Sequence, residues 1–220
     1  MDINKVRLRP SIASADPIRM ATAVDSLGAW PYLHLDIEDG AFVPNITFGL
    51  KTAAAIAGYA KQELDAHLLV RDPAPYIPAL ASLGVKSLSF HMEAVAYPLE
   101  ILSAIHRAGM KAGLALNFQI MPECLEPFLL SLDYLLIMTA EPDGEGMRFS
   151  PAILPKLRRA KAMLMGEQQL WVDGGIHRGN IPLVMEAGAT DIVVGRAAFE
   201  QPDAGGALRA LLDEACGGGR

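Results

Sequence analysis

Short apolar runs alternate with longer amphipathic stretches from one end of the chain to the other. The runs Leu8–Ile12, Tyr32–Ile37, Ala66–Val70, Ser87–His91, Gly113–Asn117, Tyr134–Met138, Leu170–Val172 and Asp191–Val194 are nearly continuously apolar. That is the pattern of parallel strands covered on both faces, by helices outside and a barrel core inside. The stretches between them predict helices over Asp16–Leu27, Thr47–Tyr59, Ala74–Leu83, Pro98–Ala108, Pro122–Leu130, Pro151–Leu164, Ile181–Ala187 and Ala204–Cys216. Asp16 followed by Pro17 is an N-cap with proline in the first helical position. Gly28, Gly84, Gly109 and Gly188 stand at helix C-caps. Eight strand–helix units in 220 residues make a period of about 27. We therefore expect one α/β domain over residues 1–220, a (β/α)8 TIM barrel, which can be built from roughly 200 residues. An open doubly wound sheet is the competing layout, and eight near-equal units favour closure. The tail 217–220 is expected to fray.

Composition narrows the partners. Half the residues are hydrophobic, and the formal net charge is -6. No excess of Lys and Arg is available to neutralise a phosphate backbone, so nucleic acid is not expected as a partner. A local cationic pocket for one small phosphate remains compatible with that balance. There is no signal-peptide-like apolar run at the N-terminus and no stretch of about 18 apolar residues for a membrane span. The expected location is the cytoplasm, with Cys124 and Cys216 as free thiols, because they form no CxxC pair.

Position is the strongest chemical signal. In this architecture the chemistry sits at the C-terminal ends of the strands. The polar residues at those ends are Ser11, His34 with Asp36, His67, His91 with Glu93, Asn117, Thr139, Asp173 and Arg196. Polar groups in or just past apolar runs are costly unless they are used. Of the five histidines, His34, His67, His91 and His177 lie at or near strand ends, and only His106 lies in a helix. His34 and Asp36 are two apart on a strand and face the same way. With His67 and Asp173 they make a donor set suited to Zn, Fe, Mn or Co as a divalent ion. Gly174, Gly175 and Gly195 follow the seventh and eighth strands, the usual phosphate-binding loops of such barrels.

At this point the residues match a family. The stretches PSIASAD (10–16), HLDIEDGAFVPNITFG (34–49), DAHLLV (65–70), FHMEA (90–94), AGLALN (112–117), VDGGI (172–176) and AGATDIVVGRAAF (187–199) span nearly the whole chain. The chain resembles the ribulose-phosphate 3-epimerases and their relatives that act on other ketose phosphates, such as allulose 6-phosphate. The resemblance implies a ribulose-phosphate-binding barrel with one divalent metal and reversible inversion at C3 of a ketose phosphate. It implies His34, Asp36, His67 and Asp173 as metal ligands, and Asp36 and Asp173 as the acid/base pair. It also implies Ser11, His67, Met138, Gly174, Gly175, Gly195 and Arg196 at the substrate. A small phosphorylated sugar is the expected partner, and a homo-oligomer, dimer or hexamer, the expected assembly.

The chain departs from the family pattern in three places. Glu38 replaces a methionine, and an extra carboxylate beside an enediolate would repel it unless it turns to solvent or pairs with a cation. Leu69 replaces a second methionine, whereas Met138 is kept. The loop after the sixth strand reads EPDGEGMRF over 141–149 where relatives carry NPGFGGQ. Gly146 survives, Asp143 and Glu145 add negative charge, and Arg148 and Arg196 could offset it. The phosphate grip is therefore expected to be rebuilt, and the substrate of this chain need not be ribulose 5-phosphate itself. A phosphosugar decarboxylase or aldolase, or a non-enzymatic metal-binding barrel, are the alternatives. Related decarboxylases use a lysine at the active strands, and here Lys86 and Lys111 precede strands rather than ending them.

Overall fold

The computed structural model describes residues 6–141 and 148–217. Eight parallel strands follow one another: β1 Arg7–Pro10, β2 Tyr32–Glu38, β3 Glu63–Leu69, β4 Ser87–His91, β5 Lys111–Leu116, β6 Tyr134–Met138, β7 Gln169–Asp173 and β8 Asp191–Val194. From β2 to β8 each strand pairs with its neighbours in sequence, and β1 pairs with β8, so the sheet curls into a barrel. The seam between β1 and β2 carries one parallel bridge, Ser11 to His34. Its thinness has a local cause. Arg7 and Ser11 donate their N–H groups toward β8, so the alternate residues Leu8 and Pro10 face β2, and Pro10 has no N–H to offer. The indole of Trp30 donates to Leu8 O across the same seam.

Helices α1 Met20–Ser26, α2 Leu50–Tyr59, α3 Tyr76–Ser82, α4 Pro98–Arg107, α5 Leu154–Met163, α6 Ile181–Glu186, α7 Arg196–Phe199 and α8 Ala204–Gly217 lie in the connections. Residues alternate along each strand. Leu33, Leu35 and Ile37 of β2, with Leu64, Ala66 and Leu68 of β3, join the apolar layer under the helices.

Two expectations need correction, and some short elements had not been anticipated. Pro122–Ser131 is a 3₁₀ stretch rather than an α-helix, because Pro127 inside it removes a donor and its ring obstructs the preceding turn. The first connection is a 3₁₀ turn, Pro17–Arg19, running into α1; Asp16 does cap it, accepting from the Ile18 N–H at 3.0 Å. The short helix α7 and the 3₁₀ turns Ile12–Ser14 and Met92–Ala94 are too brief to show a period in the sequence.

The inner face of the barrel also differs from the expected apolar core. Arg9 stands inside it, 4% exposed, with its guanidinium over the rings of Trp171 (4.0 Å) and Tyr32 (4.5 Å). It donates to Asp65 at 2.6 Å and to Asp191 at 2.7 Å. Burial works against its charge, and the two carboxylates outweigh that and raise its pKa. A small apolar cluster of Val43, Leu69, Ala115, Tyr134, Leu136, Met138 and Trp171 fills the rest. Among the described residues no helix is long and apolar enough to cross a membrane.

Candidate active site

Register assembles the site. In the β2–β3 ladder Asp36 stands opposite His67, and His34 opposite Asp65 one step below. Because side chains alternate, all four point into the barrel. Asp173, the last residue of β7, reaches the same point from the far side. One ligand atom from each of His34, Asp36, His67 and Asp173 lies within 4.8 Å of the others, and all four residues are buried. Asp36 Oδ1 is 3.0 Å from His34 Nε2 and 3.3 Å from His67 Nδ1, which is 3.4 Å from Asp173 Oδ2. Ser11 Oγ donates to Asp36 Oδ2 at 2.5 Å. The sequence brought these residues forward, and the fold brings them together.

Sequence reading missed the support beneath them. His34 Nδ1 meets the carboxylate of Asp65, which Arg9 holds from below. Asp191 takes Arg9 and Arg7 together. A carboxylate on the outer nitrogen holds a proton on Nδ1 and leaves Nε2, which points at Asp36, as the nitrogen that could take a cation. The signal was present, since Asp65 precedes His67 by two and Arg9 precedes Ser11 by two, the spacing of one strand face.

The two aspartates are driven apart electrostatically. Burial opposes ionisation of both. At Asp36 the adjacent His34 and His67 outweigh it and hold the carboxyl well below the usual range. At Asp173 burial is joined by the charge of Asp36, and the pKa is raised. Burial also opposes the charge on His34 and His67, and the carboxylates overcome it and raise both. These four fit a cation. His67 Nδ1 is buried and makes no hydrogen bond, although two carboxylate oxygens flank it. A positive ion among the four satisfies that atom and both carboxylates at once, and two imidazoles with two carboxylates are a donor set for a transition metal.

Above them opens a cavity of about 540 Å³ lined by Ser11, Asp36, Glu38, Asn45, Asp173, Gly174, Gly175, His177, Gly195 and Arg196, among others. His67 and Met138 lie beneath it, both fully buried. Gly174 (φ +114°) could carry no side chain: a Cβ would come within 2.9 Å of Ala140 N. A Cβ on Gly195 would meet Ser14 Oγ at 2.1 Å. Thr139 Oγ1 donates to the carbonyls of Asp173 (2.9 Å) and Gly174 (2.5 Å), tying down the turn. A larger cavity, about 680 Å³, lies at the opposite mouth beside Arg7, Lys86 and Lys111; it is remote from the histidine–aspartate group, so we place the chemistry at the smaller one.

Glu38 takes neither course expected of it. It is 9% exposed, faces the cavity, and accepts from Asn45 Nδ2 at 2.6 Å. Burial and then the charge of Asp36 push its carboxyl up to about 7. Arg148 is exposed at the end of its loop. Gly146, Asp143 and Glu145 lie outside the described residues, as does 218–220 of the tail, whereas Gly217 ends α8.

The model of the Ribulose-phosphate 3 epimerase family matches residues 7–199. The chain belongs to that family. Among its relatives, the ribulose-phosphate 3-epimerase of Bacillus subtilis (strain 168) is 36% identical over 204 residues, covering 90% of this chain and 94% of the relative. That of a Synechocystis species is 40% identical over 203 residues, covering 88% and 87%. A mutant tryptophan synthase alpha-subunit from Pyrococcus furiosus superposes with a TM-score of 0.70 over 97% of this chain and 98% of that one. At 16% identity that likeness concerns the barrel alone. The matched span, residues 7–199, includes all four positions of the quartet.

Proposed function

We propose that the chain is a metal-dependent epimerase that inverts C3 of a phosphorylated ketose, ribulose 5-phosphate or a close relative. The observation that carries this is the buried quartet His34, Asp36, His67 and Asp173 at the floor of one cavity, in a chain of the ribulose-phosphate 3-epimerase family. These four residues would hold one divalent ion, Zn, Fe, Mn or Co. Once bound, such an ion supplies Lewis-acid stabilisation of the negative oxygens that develop on the substrate.

The chain's own groups handle the proton. The C3 hydrogen is weakly acidic because it neighbours the C2 carbonyl. As one aspartate takes it, the C–H electron pair moves into the C2–C3 bond and the carbonyl pair onto oxygen, giving a planar enediolate. The other aspartate, protonated, gives its proton to the opposite face of C3, and the carbonyl re-forms with C3 inverted. Asp36 and Asp173 come from β2 and β7, on different sides of the barrel mouth. Their opposed pKa shifts suit a pair of which one is ionised while the other keeps a proton. Their titrations belong to the pair. Ser11 orients Asp36 through its hydroxyl. The turns at Gly174, Gly175 and Gly195, with Arg196, take the phosphate. The homo-oligomeric assembly and cytoplasmic location belong to the same proposal.

Deuterium exchange at C3, followed by NMR against a panel of ketose phosphates, tests it. The parent protein should exchange and epimerise at least one of them. Asp36→Asn and Asp173→Asn should each lower epimerisation by at least about 10³-fold, since each removes an acid/base group. Zinc binding without C3 exchange on any ketose phosphate would favour a non-enzymatic barrel instead.

A further inference from the structure

His91 ends β4 and Glu93 lies in the turn that follows it, beside the quartet, yet the proposed proton transfers use neither. His91 Nε2 lies 3.0 Å from His67 Nε2, with the two rings stacked at 4.9 Å and 27°. The ring of Phe42 packs on His91 at 4.8 Å. His91 is fully buried, and its Nδ1 makes no hydrogen bond; Glu93 Oε2 lies 3.7 Å from it. Glu93 is itself held, accepting the Asn117 N–H on Oε1 at 3.0 Å.

We infer that His91 is a positioning residue, which locks His67 in the tautomer that turns its Nδ1 lone pair toward Asp36 and Asp173. This rests on the metal reading above. Two imidazole nitrogens 3.0 Å apart share one proton, so one donates and the other accepts. For neutral His67 to offer Nδ1 to a cation, its proton sits on Nε2, and that N–H donates to His91 Nε2. His91 then carries its own proton on Nδ1, where Glu93 is the group that faces it. His34 and His67 are thus oriented by different means. The outer nitrogen of His34 meets a carboxylate, Asp65, and that of His67 meets a neutral acceptor.

Zinc affinity of the full chain, read by competition with a chromophoric chelator, tests the role. His91→Leu removes the acceptor and should weaken zinc by about 10–100-fold. His91→Gln, whose amide oxygen reaches the place of Nε2, should stay within about 3-fold of the parent, whereas His91→Asn, whose amide ends near the place of Nδ1, should weaken zinc as the leucine variant does. Long-range ¹H–¹⁵N NMR of the zinc-loaded parent needs no variant to fold. It should show the His91 proton on Nδ1 and the His67 proton on Nε2. A His91→Leu protein that binds zinc as tightly as the parent, or a His91 proton found on Nε2, overturns the inference while leaving the quartet intact. A parent that binds no zinc overturns the metal reading and this role with it.

Discussion

Asp36 and Asp173 are the same functional group in one cavity, and their neighbours alone make them different. Two imidazoles flank Asp36, while Asp173 has one and also faces the charge of Asp36. Glu38 adds a third carboxylate to the same lining. Asn45 holds one of its oxygens, and the Thr47 hydroxyl accepts from the Glu38 N–H at 3.1 Å while donating to Asp36 O at 2.7 Å. With that much negative charge at the floor, a phosphate needs a cation at the rim. Arg196, which follows β8 on the cavity wall, is the residue we assign to it. A charge-assisted hydrogen bond contributes about 1.5–3 kcal/mol, so Arg196→Ala should raise KM for the phosphorylated ketose about 10–100-fold. KM for the unphosphorylated sugar should hardly change. Steady-state kinetics on the two forms checks this, and an equal effect on both would remove Arg196 from the phosphate.

The strands deliver the site because the period of two is rigid, whereas the connections supply what a strand cannot. Helix α5 shows this at Lys156, which is 6% exposed. Its Nζ donates to Asn117 O at 2.6 Å and Phe118 O at 3.1 Å, and so ties α5 to the end of β5. Burial lowers its pKa from 10.5 to about 8, with nearby Glu93 pulling the other way. The sign of the linkage follows. Between those values the unfolded chain still holds a proton that the folded chain has shed, so this group makes stability rise as pH increases from about 8 toward 10.5. The neutral amine keeps two N–H donors, so both hydrogen bonds survive deprotonation. Urea unfolding at pH 7.5 and 9.5 should show the parent gaining stability relative to Lys156→Met. A parallel change in both proteins would show that Lys156 does not titrate in that window. The 3₁₀ stretch Pro122–Ser131 is the opposite case, a connection whose form is decided by one residue, Pro127.

Across the whole barrel, the inner face carries charge from floor to mouth: Arg7, Arg9 and Asp191 below, Asp65 and His34 in the middle, Asp36 and Asp173 at the top. Arg9 is the centre of the lower part, since it pairs with both Asp65 and Asp191 and stacks on Trp171. Removing one partner of a buried pair leaves the others uncompensated. Arg9→Leu should therefore cost about 3–5 kcal/mol in urea unfolding. It should also weaken zinc binding, because Asp65 loses the group that aims it at His34. Destabilisation with unchanged zinc affinity would confine Arg9 to a structural role.

The sequence by itself determined the barrel, because eight near-equal units of apolar run and helix leave few other ways to bury so much surface. It also brought the quartet forward, because His34, Asp36, His67 and Asp173 are among the polar residues placed where strands end and fall in the stretches that resemble the family. Tertiary structure alone decided what stands around them. The two-residue spacing puts Arg9 on the face of Ser11 and Asp65 on the face of His67, but nothing local says that Arg9, Asp65 and Asp191 meet. Their pairing depends on inter-strand register and on closure of β1 against β8, contacts that join residues up to 184 positions apart. Glu38 facing the cavity and His91 behind His67 were decided in the same way. A side chain's direction follows from its strand, but its partner follows from which strands the closed barrel sets side by side.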